Sequence, residues 1–400
     1  MKKWLVRKPQ KEFAEKILRE SEVTPLCADI LAARGFTSAE DAAKQLNSDG
    51  LSDPFLLKDM REAADVINDA VENFESICIY GDYDCDGITS TVILFSYLEC
   101  MGANVTYYIP ERSEGYGLNA DAVRELAKRG VNLIITVDNG ISAIEESKLI
   151  YELGMRLVVT DHHQPGDELP QAEAVVDPHR KDCPSTFKYL CGAGVALKLV
   201  AALENGDYEI ALNEYGEFAA MGTVADVVSL TGENRYIVSN GLRLLENSER
   251  PGVNALIKKS GLKFPLTSTS LAFGLAPRIN ASGRFGSPSL AARLFITDDE
   301  TEALMLTDEL ERLNSERKKA ETDIISEIEQ QIANNPAILY ERVIILNGEN
   351  WHHGVIGIVA SRIMERFDKP CFIITQEGEM SRGSARSFGN FSVFKALDYC

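Results

Sequence analysis

The sequence has no run of about 18 consecutive apolar residues, so no transmembrane helix is expected from it. Its first residues, Met1-Lys2-Lys3-Trp4, lead into charged and polar text and not into an apolar signal core, so no secretory leader is expected either. The eight cysteines, at 27, 78, 85, 100, 183, 191, 371 and 400, form no CxxC pair, and most lie in apolar or strand-like contexts. That usage fits buried, reduced thiols and a cytoplasmic protein without membrane association. Positive charge is also scarce: 41 Lys and Arg face 61 Asp and Glu, a net charge of −20. Nucleic-acid binding normally leaves a basic footprint, so this balance counts against it and keeps an acidic metabolic enzyme in view. Whole-chain charge does not describe a cleft, however, because metal ions neutralise acidic ligands and a few Arg and Lys can line a local groove.

Four hundred residues, 45% of them apolar, exceed what one hydrophobic core usually organises, so two or three domains are expected. Residues 1–70 read as short helices with polar breaks, such as the cap Thr37-Ser38-Ala39-Glu40-Asp41 before Ala42-Ala43, and carry no evident chemistry. From Ser76 the text changes to short apolar strands at Ile77–Tyr80, Val105–Ile109, Leu133–Val137, Leu157–Thr160 and Ala174–Val176. Amphipathic helices alternate with them, one bracketed by Asn119 and Gly130, the next by Ser142 and Gly154. The alternation predicts an α/β domain with a mostly parallel sheet. Helices are then expected at Gly192–Glu204, Ile210–Ala220 and Arg235–Glu246, followed by a long one from Asp298 to Asn335. In that long helix Leu306, Leu310, Leu313, Ala320, Ile324, Ile328 and Ile332 fall near heptad spacing, a pattern shared by a coiled coil, a partner-binding helix and a helix joining two domains. The joining helix is the preferred reading. A smaller α/β unit follows, with strands Val343–Leu346 and Cys371–Thr375 around a helix near Ile356–Arg366. The expected division is 1–70, 71–297, 298–336 and 337–400, and the stop soon after a further helix begins reads as a piece of a longer protein.

The first, third, fourth and fifth strands of the large domain each end in an acidic cluster: Asp82-Tyr83-Asp84-Cys85-Asp86-Gly87, Asp138-Asn139-Gly140, Asp161-His162-His163 and Asp177-Pro178-His179. Carboxyl ends of parallel strands form one ligand crevice, so these clusters converge in space. Asp226, after a helical stretch, is a further candidate. Each has a plain alternative, since a strand-end Asp often caps the next helix, Asn-Gly marks a turn and a lone His is usually structural. A calcium loop starting at Asp82 is excluded because its twelfth position, which must supply a bidentate Glu, is Ile93 in an apolar run. Taken together, so many carboxylates at one sheet edge repel unless cations sit among them. Carboxylate and imidazole donors without thiolate suit Mn2+ or Mg2+, and their number suggests two ions and phosphoryl chemistry.

These residues, in this order, resemble the motifs of the DHH phosphoesterases: Asp82 to Ser90, Val137-Asp138-Asn139-Gly140, Asp161-His162-His163 and Val176-Asp177-Pro178. The variant is similar to the RecJ-type exonucleases, through Gly222 to Val228, Arg278 to Arg284, Trp351 to Gly357 and Gly383 to Ser387, a likeness running from about residue 70 to the C-terminus. The resemblance implies a mostly parallel-sheet catalytic domain joined by the long helix to a smaller α/β domain. It implies two divalent ions, Mn2+ or Mg2+, held by Asp82, Asp84, Asp86, Asp138, His162 and Asp226, with Asp138 and His163 at the reacting phosphate and Asp161 orienting its neighbours. Asp177 is read as a second orienting carboxylate.

The implied reaction is two-metal hydrolysis of single-stranded DNA from a 5′ end, releasing mononucleotides, in repair and recombination, with a single-strand-binding protein and a helicase as further partners. Arg112, Arg278 and Arg284, expected on loops, together with Asn280, are candidate phosphate contacts, and Ser384 and Arg386 resemble the family's 5′-phosphate pocket. His352 and His353 open a helix whose N–H groups can hold a phosphate. The strand is expected to thread between the two domains through a passage too narrow for duplex. Tyr107, Tyr108, Tyr116 and Phe285 are candidate base-stacking surfaces, with packing preferred for the first two. Rival readings are a DHH enzyme for very short oligonucleotides, nucleotide phosphates or cyclic dinucleotides, and a non-catalytic scaffold. The complete ligand set disfavours the scaffold. The oligonucleotide-binding barrel that usually follows in RecJ proteins is not expected in this sequence.

Overall fold

The computed structural model describes residues 6–46 and 50–400, so the Met1–Trp4 stretch lies outside the described residues. Among those described, no helix is long and apolar enough to cross a membrane. The chain divides into two compact units: Met1–Tyr108 with Gly117–Ser248 and Lys263–Ala272, and Ile109–Tyr116 with Glu249–Leu262 and Phe273–Cys400.

The first unit begins with α1 (Lys11–Glu20), α2 (Pro25–Ala33) and α3 (Ala39–Leu46), which share a small core of Ile17, Ala28, Leu31 and Ala42. The expected cap of α3 forms, with Ser38 Oγ accepting from Asp41 N at 3.1 Å. After α4 (Met60–Glu72) come β1 (Ile77–Tyr80), α5 (Cys85–Cys100), β2 (Val105–Tyr108), α6 (Ala120–Lys128), β3 (Leu133–Val137), α7 (Ile144–Glu152), β4 (Arg156–Thr160) and β5 (Ala174–Val176). The five strands are parallel in the order β2-β1-β3-β4-β5. The central strands β1 and β3 are buried along their whole length, as a sheet covered on both faces requires. Cys78, Tyr80, Ile134, Leu157 and Val159 pack on Val123 and Leu126 of α6 and Ile150 of α7. Successive strand residues face opposite ways, so Ile77, Ile79, Leu133 and Ile135 meet the other layer, α4, α5 and α8 (Gly192–Leu203). Two more helices follow, α9 (Glu209–Ala225), which packs on α5 and α8, and α10 (Gly232–Glu246), which packs on α9.

The chain continues through α11 (Pro251–Ser260), the short α12 (Ser268–Ser270), a π-helical turn over Leu271–Leu275, α13 (Ala276–Phe285), α14 (Ser289–Ile296) and the 35-residue α15 (Glu300–Asn334). A three-stranded sheet completes the second unit, with β6 (Ile344–Glu349) parallel to β7 (Cys371–Glu377) and β8 (Met380–Arg386) antiparallel to it. It is covered by α16 (His353–Phe367), and α17 (Val393–Tyr399) ends the chain. Ile324 and Ile328 of α15 join Ile344, Trp351, Val355, Val359 and Ile373 in this unit's core. The sequence pattern set 298–336 apart as a connector and grouped α11, α13 and α14 with the catalytic segment, whereas in the structure these three helices lie in one unit with α15. The reason is close packing: a Cβ on Gly252 of α11 would meet the Leu294 carbonyl oxygen at 1.7 Å, and one on Gly286 would meet Leu313 Cδ1 at 2.9 Å. Arg278 and Arg284 therefore stand on a helix, α13, and not on loops as expected. Its Pro, Asn, Ser and Gly content disguises it, and burial of Ile279, Ala281 and Ser282 overrides weak propensity.

One ionic cluster ties the residues before α4 to the helical layer. Lys198 on α8 is buried with Nζ 2.7 Å from Glu233 Oε2, and donates to Ser52 Oγ at 3.0 Å and Ser52 O at 2.9 Å. Ser52 Oγ in turn donates to Glu233 Oε1 at 2.7 Å. Removing one member leaves a buried charge uncompensated, so Glu233→Ala should destabilise the fold by about 3 kcal/mol in urea denaturation. A loss below about 0.5 kcal/mol would show that the pair is solvated in solution.

Candidate metal centre and phosphate contacts

Parallel pairing sets Tyr80 beside Thr136, Val137 beside Thr160 and Thr160 beside Val176, so β1, β3, β4 and β5 finish at one level. Asp82, Asp138, Asp161 and Asp177 each follow within two residues of a strand end. The chain leaves β1 toward β2 on one side and resumes with β3 on the other, which makes the β1–β3 gap the switch point where crevices open. Asn139 closes the bottom of this gap, its Nδ2 donating to Tyr80 O at 3.1 Å and Val137 O at 2.9 Å. Asp138 turns the chain at φ 62°, a left-handed conformation that non-glycine residues adopt at a cost.

Three groups of donors have ligand atoms within 4.8 Å of one another: Asp82, Asp84 and Asp138; Asp86, His162 and Asp226; and Asp138, His162 and His163. The first two groups share no residue and touch through His162 Nε2, which lies 3.0 Å from Asp138 Oδ1. The same nitrogen is 3.8 Å from both Asp86 Oδ2 and Asp226 Oδ2. Donors bound at about 2.1 Å to an octahedral ion stand about 3.0 Å apart on its edges, so these spacings suit ligands around a small divalent cation. His162 Nε2 is moreover buried without a hydrogen bond, and a nitrogen in that condition needs a partner. The donor set and this buried nitrogen fit Mn2+ or Mg2+.

Burial, and then the charges of Asp86, Asp84, Asp82 and Asp161, push the Asp138 carboxyl well above the usual carboxylate range. Burial followed by Asp86 and Asp84 pushes Asp226 up to about 7. Burial also holds His162 below its ordinary value, neutral as a metal ligand must be. Burial works against a charged His163 too, but its Nδ1 is 2.7 Å from Asp161 Oδ1, and that bond with the charges of Asp161, Asp226 and Asp86 prevails, raising it to about 9. Asp161 Oδ1 also accepts from His162 N at 2.7 Å and its Oδ2 from Ile141 N at 2.9 Å, so it orients both histidines.

Two acidic residues serve the plain alternative as well. Asp84 Oδ1 caps α5 by accepting from Asp86 N at 2.9 Å and Gly87 N at 3.1 Å. Asp86 Oδ2 and Oδ1 accept from Gly192 N at 2.6 Å and Ala193 N at 2.9 Å, capping α8. Sequence reasoning missed the glycines against which these carboxylates lie. A Cβ on Gly87 would come within 2.6 Å of Asp82, one on Gly192 within 2.5 Å of Asp138 Cβ, and one on Gly222 within 2.5 Å of Asp86 Oδ1. Gly87 and Gly222 belong to the family-like motifs, but nothing local marks Gly192 as touching a residue far along the chain.

The remaining candidates, apart from Tyr107 and Tyr108, lie in the second unit. Arg112 starts a short 3-10 turn and its Nε donates to Gly283 O at 3.4 Å. Arg284 Nη1 donates to Gly354 O, and the neighbouring Phe285 stacks on His352, ring centroids 4.0 Å apart at 12°. His352 caps α16 by accepting from Gly354 N at 3.1 Å, and His353 stacks on it at 5.1 Å. Asn280 is half-buried on α13. Ser384 and Arg386 are on β8, an element that the sequence pattern did not show; Arg386 Nε donates to Ser361 Oγ at 2.9 Å and Nη1 to Ser384 Oγ at 3.2 Å. A Cβ on Gly357 would lie 3.4 Å from Arg386 Nη2. Gly354 and Gly357, three apart on α16, thus place both arginines along one helix face. Arg278 is committed elsewhere, with Nε 2.6 Å from Glu311 Oε2 and Nη1 donating to Gly274 O at 2.6 Å. Tyr107 and Tyr108 pack on Phe95 and Tyr80, while Tyr116 is exposed.

Asp226 and Asp177, both raised to about 7, and His163, raised to about 9, bind protons more tightly folded than unfolded. Their stabilising contribution is complete below the unfolded values and lost as pH rises through the folded ones. The chelator-treated protein should therefore lose thermal stability between about pH 6 and pH 9, and added Mn2+ should restore most at the alkaline end, where ligands are already deprotonated. Stability that rises with pH across that window under chelation would refute this electrostatic description. Gly192→Ala should weaken Mn2+ binding by at least about tenfold in calorimetry, through the displaced Asp138 carboxylate.

The model of the DHH family, N-terminal domain, matches residues 76–223. The single-stranded-DNA-specific exonuclease RecJ of Bacillus subtilis (strain 168) is 40% identical over 408 residues, covering 100% of this chain and 51% of that protein. Its counterpart in Dickeya dadantii (strain 3937) is 37% identical, covering 92% of this chain and 67% of its own length. A crystal structure of RecJ in complex with Mn2+ from Thermus thermophilus superposes with a TM-score of 0.84 at 34% identity, over 98% of this chain and 56% of that one. The chain thus spans between about half and two thirds of the length of these relatives. With the DHH motif carboxylates and histidines gathered on one sheet edge, the chain belongs to the RecJ family of DHH phosphoesterases.

Proposed function

We propose that this chain hydrolyses single-stranded DNA from its 5′ end, releasing 5′-mononucleotides, with two divalent ions, Mn2+ or Mg2+, at the sheet edge. The observation that carries the reading is the pair of separate donor groups joined at Asp138 and His162. Asp82, Asp84, Asp86, Asp138, His162 and Asp226 would hold the ions, which supply Lewis-acid stabilisation of charge on phosphoryl oxygens and an acidified water. His163 is half-exposed and is held as an imidazolium by Asp161, which accepts from Nδ1–H, so its second proton, on Nε2, would donate to a phosphoryl oxygen or pass to the departing 3′ oxygen. Asp161 fixes the orientation of that ring and favours its charged form. In the second unit, Ser384 and Arg386, with Arg112, Arg284, Asn280, His352 and His353, would contact the terminal phosphate and the strand behind it, while Arg278, already paired with Glu311, supports α13.

A substrate that must be single-stranded pairs naturally with a helicase that exposes it and a single-strand-binding protein that keeps it open. Eight free cysteines, five of them buried, fit a cytoplasmic site of action in repair and recombination.

The decisive assay offers the protein, with Mn2+, a 5′-labelled single strand, its 3′-labelled twin and a blunt duplex. Labelled mononucleotide should appear at once from the first, late from the second and not from the duplex. Turnover of dinucleotides alone would favour a short-oligonucleotide hydrolase instead. Asp138→Ala should lower kcat by at least about a thousandfold while leaving the circular dichroism spectrum unchanged. Arg386→Ala should raise KM for 5′-phosphorylated strands about tenfold and leave 5′-hydroxyl strands little affected, a charge-assisted contact of about 1.4 kcal/mol.

A further inference from the structure

We propose that His179 is a positioning residue for the metal centre, holding the main chain of His162 and thereby fixing where that ring's Nε2 stands. The proposal rests on reading His162 as a metal ligand. His179 Nδ1 lies 2.6 Å from the His162 carbonyl oxygen. A carbonyl only accepts, so this bond requires the proton on Nδ1 and selects one tautomer. The peptide N–H of His162 is held at the same time by Asp161 Oδ1 at 2.7 Å. With both main-chain polar groups of His162 fixed, the ring can be placed by side-chain torsions alone, and burial restricts those.

His179 itself is well anchored. Asp177, fully buried, accepts from His179 N at 2.6 Å through Oδ1. The next residue, Arg180, is also buried: Nε and Nη2 donate to Asp182 Oδ1 at 3.0 Å and Oδ2 at 2.8 Å, and Nη1 donates to Asp59 Oδ2 and Val175 O, each at 2.5 Å. Asp59 precedes α4 in a left-handed conformation, φ 63°, and also accepts from Val175 N at 3.4 Å. Hydrogen bonds, charge-assisted at Asp59, Arg180, Asp182 and Asp177, therefore tie the start of α4 through the 177–182 loop to His179, whose neutral bond reaches the His162 carbonyl. A loop that only closed off the end of β5 would not need an imidazole aimed at a ligand's main chain, whereas metal-binding histidines are commonly fixed by such outer contacts.

The test compares side chains that differ in whether and where they offer an N–H. His179→Leu removes the N–H, His179→Asn keeps an N–H near the Nδ1 position, and His179→Gln places its amide nitrogen near Nε2 instead. Mn2+ binding is measured by calorimetry without DNA, alongside thermal unfolding under chelation. Expected are about tenfold weaker Mn2+ binding for Leu and Gln, near-normal binding for Asn, and unfolding temperatures under chelation close to wild type. At limiting Mn2+ the Leu and Gln variants should show reduced kcat with KM for the strand unchanged, recovering as Mn2+ saturates. Should the Leu variant fail to fold, the Gln and Asn pair carries the comparison. Wild-type Mn2+ affinity in the Gln variant, or binding in Asn as weak as in Gln, overturns the role of His179. Absence of Mn2+ binding by the wild-type protein would instead overturn the metal-centre reading beneath it.

Discussion

Mutual repulsion among carboxylates at one edge of the five-stranded sheet is the constraint around which this molecule is arranged. Asp82, Asp86, Asp138 and Asp161 are all nearly inaccessible to water, and Asp84 and Asp226 stand beside them. Without cations such a group must give up part of its charge, which is what the raised Asp138 and Asp226 express. Protons and divalent ions therefore compete for the same oxygens, and the protein's affinity for one is set by how firmly it holds the oxygens in place for the other.

That firmness comes from giving ligands a second task. Asp84 caps α5 and Asp86 caps α8, so helix N-termini offset part of the negative charge while fixing the carboxylates. The glycines at 87, 192 and 222 allow backbone and carboxylate to approach more closely than any side chain would permit. A helix cap and a metal ligand are usually offered as alternatives for a strand-end Asp. At Asp84 and Asp86 they coincide, because a carboxylate accepting one or two N–H bonds still has lone pairs to share.

The parallel sheet and its acidic edge were legible in the sequence, since period-two and helix-period patterns mark the strands and an Asp after each strand end points to one crevice. Orientation by Asp161 was likewise readable, because its partners His162 and His163 are its chain neighbours. What could not be read depends on contacts between distant segments. Gly192 gives no local sign of lying against Asp138, and Arg278 none of its partner Glu311, 33 residues away. The text of α13 reads as a loop until the surface that buries Ile279 and Ala281 is known, and β8 hides because its Met380–Arg386 sequence alternates little and is mostly exposed. Residues 1–70 showed no chemistry because Ser52 and Asp59 act through Lys198 and Arg180, more than 100 positions later.

The net charge of −20, which on its own argues against a nucleic-acid substrate, is consistent with one once the location of charge is considered. Part of the surface acidity is paired locally, as along α15 where Glu309 and Glu316 flank Arg312. The buried acids at the sheet edge are suited to divalent ions, so with metal bound that edge loses most of its negative field. Arg386 is held by the Ser361 hydroxyl and the Ala385 carbonyl, neutral acceptors that orient its positive charge without cancelling it. Arg278, whose Nε lies 2.6 Å from Glu311 Oε2, is the contrast. A phosphate contact needs a cation oriented by neutral acceptors, and the count of such cations, not the sum over the chain, measures fitness for a polyanion.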